Sequence, residues 1–142
     1  MLLSLEEPIR KIMIEDVFTV KADALIIDAT RLMIEKDISC LPVSIGSGAI
    51  GIITERDILG KVIAVGGNPK KVRVREIMST PLIVATASTS IGEAARKMMT
   101  NNIRRLVVMS EDGGRLVGLV TMKDIIRWVA ARRRVTDLME YV

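Results

Sequence analysis

The 142 residues contain no histidine. That removes the commonest general base, the usual imidazole metal ligand and every Ser-His or Cys-His nucleophile pair. A single cysteine, Cys40, leaves neither an internal disulfide nor a thiolate zinc cluster, so the chain is expected to be non-catalytic, metal-free and cytoplasmic. Cys40 precedes an apolar run and is read as a small buried hydrophobe. Aromatics make up 2% of the chain, as Phe18, Trp128 and Tyr141, too few for a platform on which the bases of a single strand could stack. No apolar run reaches the roughly 20 residues of a membrane helix. The start "MLLSLEEPIRK" has acids and Pro8 where a signal peptide has basic and apolar regions, so no membrane association is expected.

What the chain does have is charge, apolar mass and repetition. A net charge of +4 beside 49% hydrophobic residues describes a globular unit whose basic surface attracts phosphorylated molecules or nucleic acid. "GIITERDILG" (51–60) and "GLVTMKDIIR" (118–127) match at Gly, Thr, Asp and the following Ile. The match extends outward: Ile12-Met13 aligns with Ile77-Met78, 65 positions on, and "DISCLPV" (37–43) aligns with "NIRRLVV" (102–108) at the same offset. The closing motifs are 67 apart, because the second copy holds two more residues around its turn, which reads "SIGSGA" in the first copy and "SEDGGR" in the second.

Each copy reads β-α-β-β-α. A short extended piece leads to a helix expected to start at the N-caps Asp23 and Ser88. Its apolar face carries Ile26, Ala29 and Met33 in one copy and Ile91, Ala94 and Met98 in the other. Two β-rich runs joined by a turn follow. A second helix closes each copy, over about 55–65 and about 122–133. Met13, Met33, Met98 and Met99 are expected in cores or sheet packing. "GGNPKKVRVRE" is read as a linker with a solvated basic run. A unit of about 60 residues is marginal alone, so stacking the two copies on one core is the simplest reason for a repeat.

Thr54-Glu55-Arg56-Asp57 and Thr121-Met122-Lys123-Asp124 stand where a strand ends and a helix starts. Structurally, Thr-x-x-Asp is a capping box in which hydroxyl and acid satisfy free helix N–H groups. Functionally, hydroxyl, cation and acid read as a ribose-phosphate clamp. The helix N-terminus and Arg56 or Lys123 suit phosphate, and the acid suits ribose hydroxyls.

The doubled pattern, with "DISCLPV" and a closing Gly-apolar-apolar-Thr-x-x-Asp-Ile, resembles the CBS domain, and two in tandem resemble the CBS pair called a Bateman module. The resemblance implies an α+β fold of two CBS repeats around a pseudo-two-fold axis, with repeats at 8–68 and 72–130 and a basic tail at 131–142. It implies a stand-alone, homodimeric ligand sensor that modulates a partner protein. The ligand would be AMP or another adenosyl compound (ADP, ATP, S-adenosylmethionine, methylthioadenosine, NAD), favouring AMP because of the cations.

By the same resemblance the clefts are composite. Thr121, Lys123 and Asp124 would face walls at Met13, Phe18 and Ile38-Ser39-Cys40, with Arg104 and Arg105 near the phosphates. Thr54, Arg56 and Asp57 would face Met78, Ile83 and Ile103-Arg104. Ser39-Cys40 in one copy against Arg104-Arg105 in the other implies unequal sites. Nucleic-acid binding by the basic faces, including "ARRR" (131–134), and a purely dimerising structural role are the alternatives. Trp128 is read as a packing or dimer-interface anchor.

Overall fold

The computed structural model describes residues 3–132. The first repeat consists of β1 (Val20–Lys21), α1 (Ile26–Lys36), β2 (Cys40–Ile45), β3 (Gly48–Thr54) and α2 (Glu55–Ile58), which continues through a π-helical turn, Leu59–Ile63. A short helix, α3 (Val74–Ile77), precedes the second repeat. That repeat consists of β4 (Val84–Thr86), α4 (Ile91–Thr100), β5 (Arg105–Met109), β6 (Leu116–Thr121) and α5 (Met122–Arg132).

Each repeat folds its strands into one sheet, β1-β2-β3 and β4-β5-β6. In both, the first pair is parallel, bridged by the intervening helix, and the second is an antiparallel hairpin. Even the irregularities repeat, with register shifts at Val43/Ser44 and at Val108/Met109. Both first helices end in a left-handed residue, Asp37 at φ 53° and Asn102 at φ 52°. The duplication is therefore structural as well as textual. Among the described residues no helix is long and apolar enough to cross a membrane.

Strand alternation sends successive side chains to opposite faces. Leu41, Val43 and Ile53 turn to the first core, beneath α1, while Leu106, Val108 and Val120 turn to the second. The opposite faces meet each other. Cys40 of the first repeat packs with Val107, Met109 and Leu119 of the second, flanked by Ala49, Ile52 and Val84. Because both faces of each sheet are covered, the strands read as continuous apolar runs rather than as alternation.

The two cores exchange their lead-in segments. Ile9, from a 3-10 turn over Ile9–Lys11, is fully buried in the second core, and Val74 and Ile77 of α3 are buried in the first. The exchange is held by matching backbone bonds. Ile9 N donates to Thr89 O (2.8 Å) and Val74 N to Ala24 O (2.8 Å). Ile91 N donates to Glu7 O (2.8 Å) and Ile26 N to Val72 O (2.9 Å).

These bonds correct the expected helix starts. The caps are Leu25, with no side-chain bond, and Ser90, whose hydroxyl accepts from Glu93 N at 3.1 Å. A carbonyl from the exchanged segment satisfies the first N–H of each helix, so the chain can run two residues past the polar signals at Asp23 and Ser88 before coiling. Asp23 instead pairs with Arg75. The linker reading is corrected in part: Lys70, Lys71, Arg73 and Arg75 are exposed as expected, but the segment runs into α3, whose Val74 and Ile77 complete the first core. Met33 and Met98 are buried, whereas Met99 is exposed (75%) one step round α4 from Met98.

The repeated glycines follow from the exchange. A Cβ on Gly118 would lie 2.6 Å from Met13 Sδ and 3.1 Å from Ile14 O. One on Gly51 would lie 3.0 Å from both Met78 Sδ and Ser79 O. Glycine lets each lead-in segment lie against the hairpin strand of the other repeat.

Candidate functional site

Both Thr-x-x-Asp elements are formed capping boxes at the mouths of α2 and α5. Asp57 N donates to Thr54 Oγ1 (3.1 Å), and Asp57 Oδ2 accepts from Thr54 N and Thr54 Oγ1 (3.0 Å each). In the second copy Asp124 N donates to Thr121 Oγ1 (3.1 Å), and Asp124 Oδ2 accepts from Thr121 N (2.9 Å) and Oγ1 (2.8 Å). The structural reading of the motif is thus realised in both repeats. It uses only one oxygen of each acid.

The second oxygen differs between the copies. Asp57 Oδ1 accepts from Ser79 Oγ (3.0 Å) and pairs with Lys61 Nζ (3.0 Å), which also donates to Ile77 O (3.0 Å). Asp124 Oδ1 has one charged neighbour among the described residues, Arg127 Nη1 at 3.8 Å on a side chain that is 68% exposed. Asp57 is buried, and Asp124 is partly open.

Arg56 and Lys123 stand exposed between hydroxyl and acid, without an ion pair among the described residues. Ser39 O accepts from Glu55 N (3.0 Å) and Arg104 O from Met122 N (2.9 Å), so each helix mouth is tied to the strand beside it. Cys40 pairs in register with Thr54, and Arg105 with Thr121. The Arg105 guanidinium donates across the repeats to Ser39 Oγ. Burial, opposed by Arg105 and aided by Glu55, pushes the Cys40 thiol up to about 11, so almost no thiolate exists at neutral pH.

Met13 lies half-buried against Gly118 of β6, and Met78 half-buried against Gly51 of β3. Ile38 packs at the first core, and Ile83 and Ile103 at the second. Phe18 is exposed, with Lys36 Nζ 5.0 Å from its ring centre. Arg104 is exposed and Arg105 half-buried. The tail expected over 131–142 lies, after Arg132, outside the described residues.

Sequence reasoning missed Ser79 and Lys61. Lys61 had a signal, standing four residues beyond Asp57 on one helix. Ser79 had none, since it arrives from 22 positions away.

The CBS domain model matches residues 9–64 and again residues 74–131. The chain belongs to the CBS-domain family. Its two repeats superpose on a conserved protein from Pyrococcus horikoshii with a TM-score of 0.80 and 32% identity, covering 94% of this chain and 98% of that one. The CBS domain pair of protein MJ0100, solved with 5'-methylthioadenosine and S-adenosyl-L-methionine, matches at a TM-score of 0.78 and 29% identity. That match covers 89% of this CBS pair and 98% of the other. In sequence the pair is 35% identical over 131 residues to an uncharacterized protein of Methanocaldococcus jannaschii, spanning 44% of that protein's length.

Proposed function

We propose that this CBS pair is a non-catalytic sensor that binds an adenosyl compound at a Thr-x-x-Asp element and passes the resulting shift in conformational population to a partner protein. One observation carries the reading. Each acid is fixed through a single oxygen by its own helix cap, and at Asp124 the other oxygen is left to a distant, exposed arginine. A carboxylate so held accepts from a ribose diol without reorganising. The exposed Lys123 and Arg104, with the half-buried Arg105, supply cations for a phosphate, which favours AMP over the uncharged thioether nucleoside. The adenosyl ligands of the MJ0100 pair support the ligand class.

Thermal unfolding with AMP, ATP, S-adenosylmethionine, 5'-methylthioadenosine and NAD tests it. A compound present at 100 times its Kd adds about 2.7 kcal/mol to the folded state. Asp57→Asn/Asp124→Asn is expected to lose that shift. The asparagine oxygen stays in the cap, accepting from Thr N–H and Oγ–H, and an NH2 then replaces the outer acceptor. A folded wild type unmoved by any of these compounds overturns the reading.

We further propose that the pair functions as a homodimer through its second helices. Leu59 and Ile126 occupy equivalent positions of the two repeats and are each 61% exposed, and Ile63, one turn after Leu59, is an exposed apolar residue as well. Sedimentation velocity is expected to show a dimer in the wild type and a monomer in Leu59→Glu/Ile126→Glu.

A further inference from the structure

We propose that the two clefts are not equivalent: the cleft at Asp124 takes the ribose, and the cleft at Asp57 is closed by the chain's own Ser79 and Lys61, so that one adenosyl ligand binds per chain. This rests on the reading above and adds an occupancy to it.

An ionised carboxylate offers about four acceptor directions. At Asp57 four donors use them: Thr54 N and Thr54 Oγ1 on Oδ2, Ser79 Oγ and Lys61 Nζ on Oδ1. None of these is a loose contact. Ser79 is fixed by two backbone bonds to β3, donating its N–H to Ile52 O (2.8 Å) and accepting from Ile52 N (3.2 Å). Lys61 is fixed by a second acceptor, Ile77 O. A ribose entering here must displace a hydroxyl and an ammonium from a buried acid, and it returns only neutral hydroxyl donors in exchange. The Ser79 hydroxyl, held in place by its bonds to Ile52, would lose its acceptor, and the half-exposed Lys61 ammonium would turn to water, so a neutral ribose hydroxyl restores no more than Ser79 already gives.

The second cleft keeps the same backbone and changes the side chains. The residue in the place of Ser79 is Ile14, which makes the same pair of bonds to β6, Ile14 N to Leu119 O (2.8 Å) and Leu119 N to Ile14 O (3.0 Å). Its side chain is hydrocarbon, 46% exposed, and has nothing to donate. The residue in the place of Lys61 is Trp128, which packs on the second core and whose Nε1–H has no acceptor among the described residues, so it does not bond Asp124 either. Exchanging Ser79 for Ile14 and Lys61 for Trp128 thus turns a saturated acid into one whose outer oxygen meets only the exposed Arg127, at 3.8 Å, among the described residues. The duplication kept both caps and one binding site.

Isothermal titration of the full chain with AMP and with 5'-methylthioadenosine decides the matter. The expected stoichiometry is one per chain for whichever probe binds. Asp124→Asn is expected to weaken that binding by at least about tenfold, while Asp57→Asn leaves its affinity within about threefold and its stoichiometry unchanged. Circular dichroism of both variants confirms that they are folded. Two sites per chain, or a loss confined to Asp57→Asn, overturns the closure of the first cleft and leaves the adenosyl reading standing. No binding of either probe to the folded wild type overturns the adenosyl reading, and the inference with it.

Discussion

Leu106→Ala is expected to lower stability by about 2–5 kcal/mol, and Leu41→Ala by a similar amount. Both leucines are fully buried and occupy the same place in the two sheets, each under its own first helix. For a chain of this length the loss corresponds to a Tm lower by roughly 5–20 °C. Calorimetry should show the whole transition moving in each variant, with no separate peak left behind. The reason is the exchange of lead-in segments. Ile9 sits in the core that contains Leu106, Val74 in the core that contains Leu41, and the Cys40–Val107–Leu119 cluster joins the sheets between them. Neither repeat can unfold without withdrawing part of the other's core. Two resolved peaks, of which one shifts, would show instead that the cores melt independently.

That exchange was the part of the fold hardest to read from the sequence. The strands and long helices were legible because each carries its own periodicity: Ile26, Ala29 and Met33 mark one helical face, and "RLVVMS" marks a strand buried on both sides. α3 carries no such signal. Its four residues hold two apolar positions, Val74 and Ile77, interrupted by Arg75 and Glu76, and four residues are too few for a period to show against a basic background. The same cause misplaced the helix starts. Asp23 and Ser88 are sound local caps, but Val72 O and Glu7 O come from distant segments and satisfy the first helical N–H groups two or three residues later. Tertiary partners overrode a local preference worth about 1 kcal/mol.

The site divides along the same line. Thr54, Asp57, Thr121 and Asp124 were legible because a cap needs its members three residues apart, and duplication wrote the spacing twice. The asymmetry that the sequence displays is Ser39-Cys40 against Arg104-Arg105. Those residues do differ in place and burial, and Arg105 bridges to Ser39. The sharper difference lies in Ser79 against Ile14 and Lys61 against Trp128, positions that the repeated motifs do not mark. A hydroxyl on a distant segment acquires meaning only when the backbone bonds to Ile52 put it beside the acid.

Asp57→Ala is therefore expected to cost about 2–4 kcal/mol of folding free energy, against about 1–2 for Asp124→Ala. Deleting Asp124 removes the helix-cap acceptor for Thr121 N and leaves a partly open site that water can enter. Deleting Asp57 removes the same acceptor from a buried position and strips the half-buried Ser79 hydroxyl of its partner. It also frees Lys61, whose half-exposed ammonium turns to water while keeping Ile77 O and so adds little to the loss. Urea unfolding of the two variants without any ligand measures the difference directly. A larger loss at Asp57 identifies it as an internal strut whose bonding capacity is spent in folding. Equal losses would mean that Ser79 and Lys61 contribute nothing at Asp57, which leaves that acid as free to receive a ribose as its counterpart. The stability of the empty chain thus bears on which cleft is filled before the ligand has been identified.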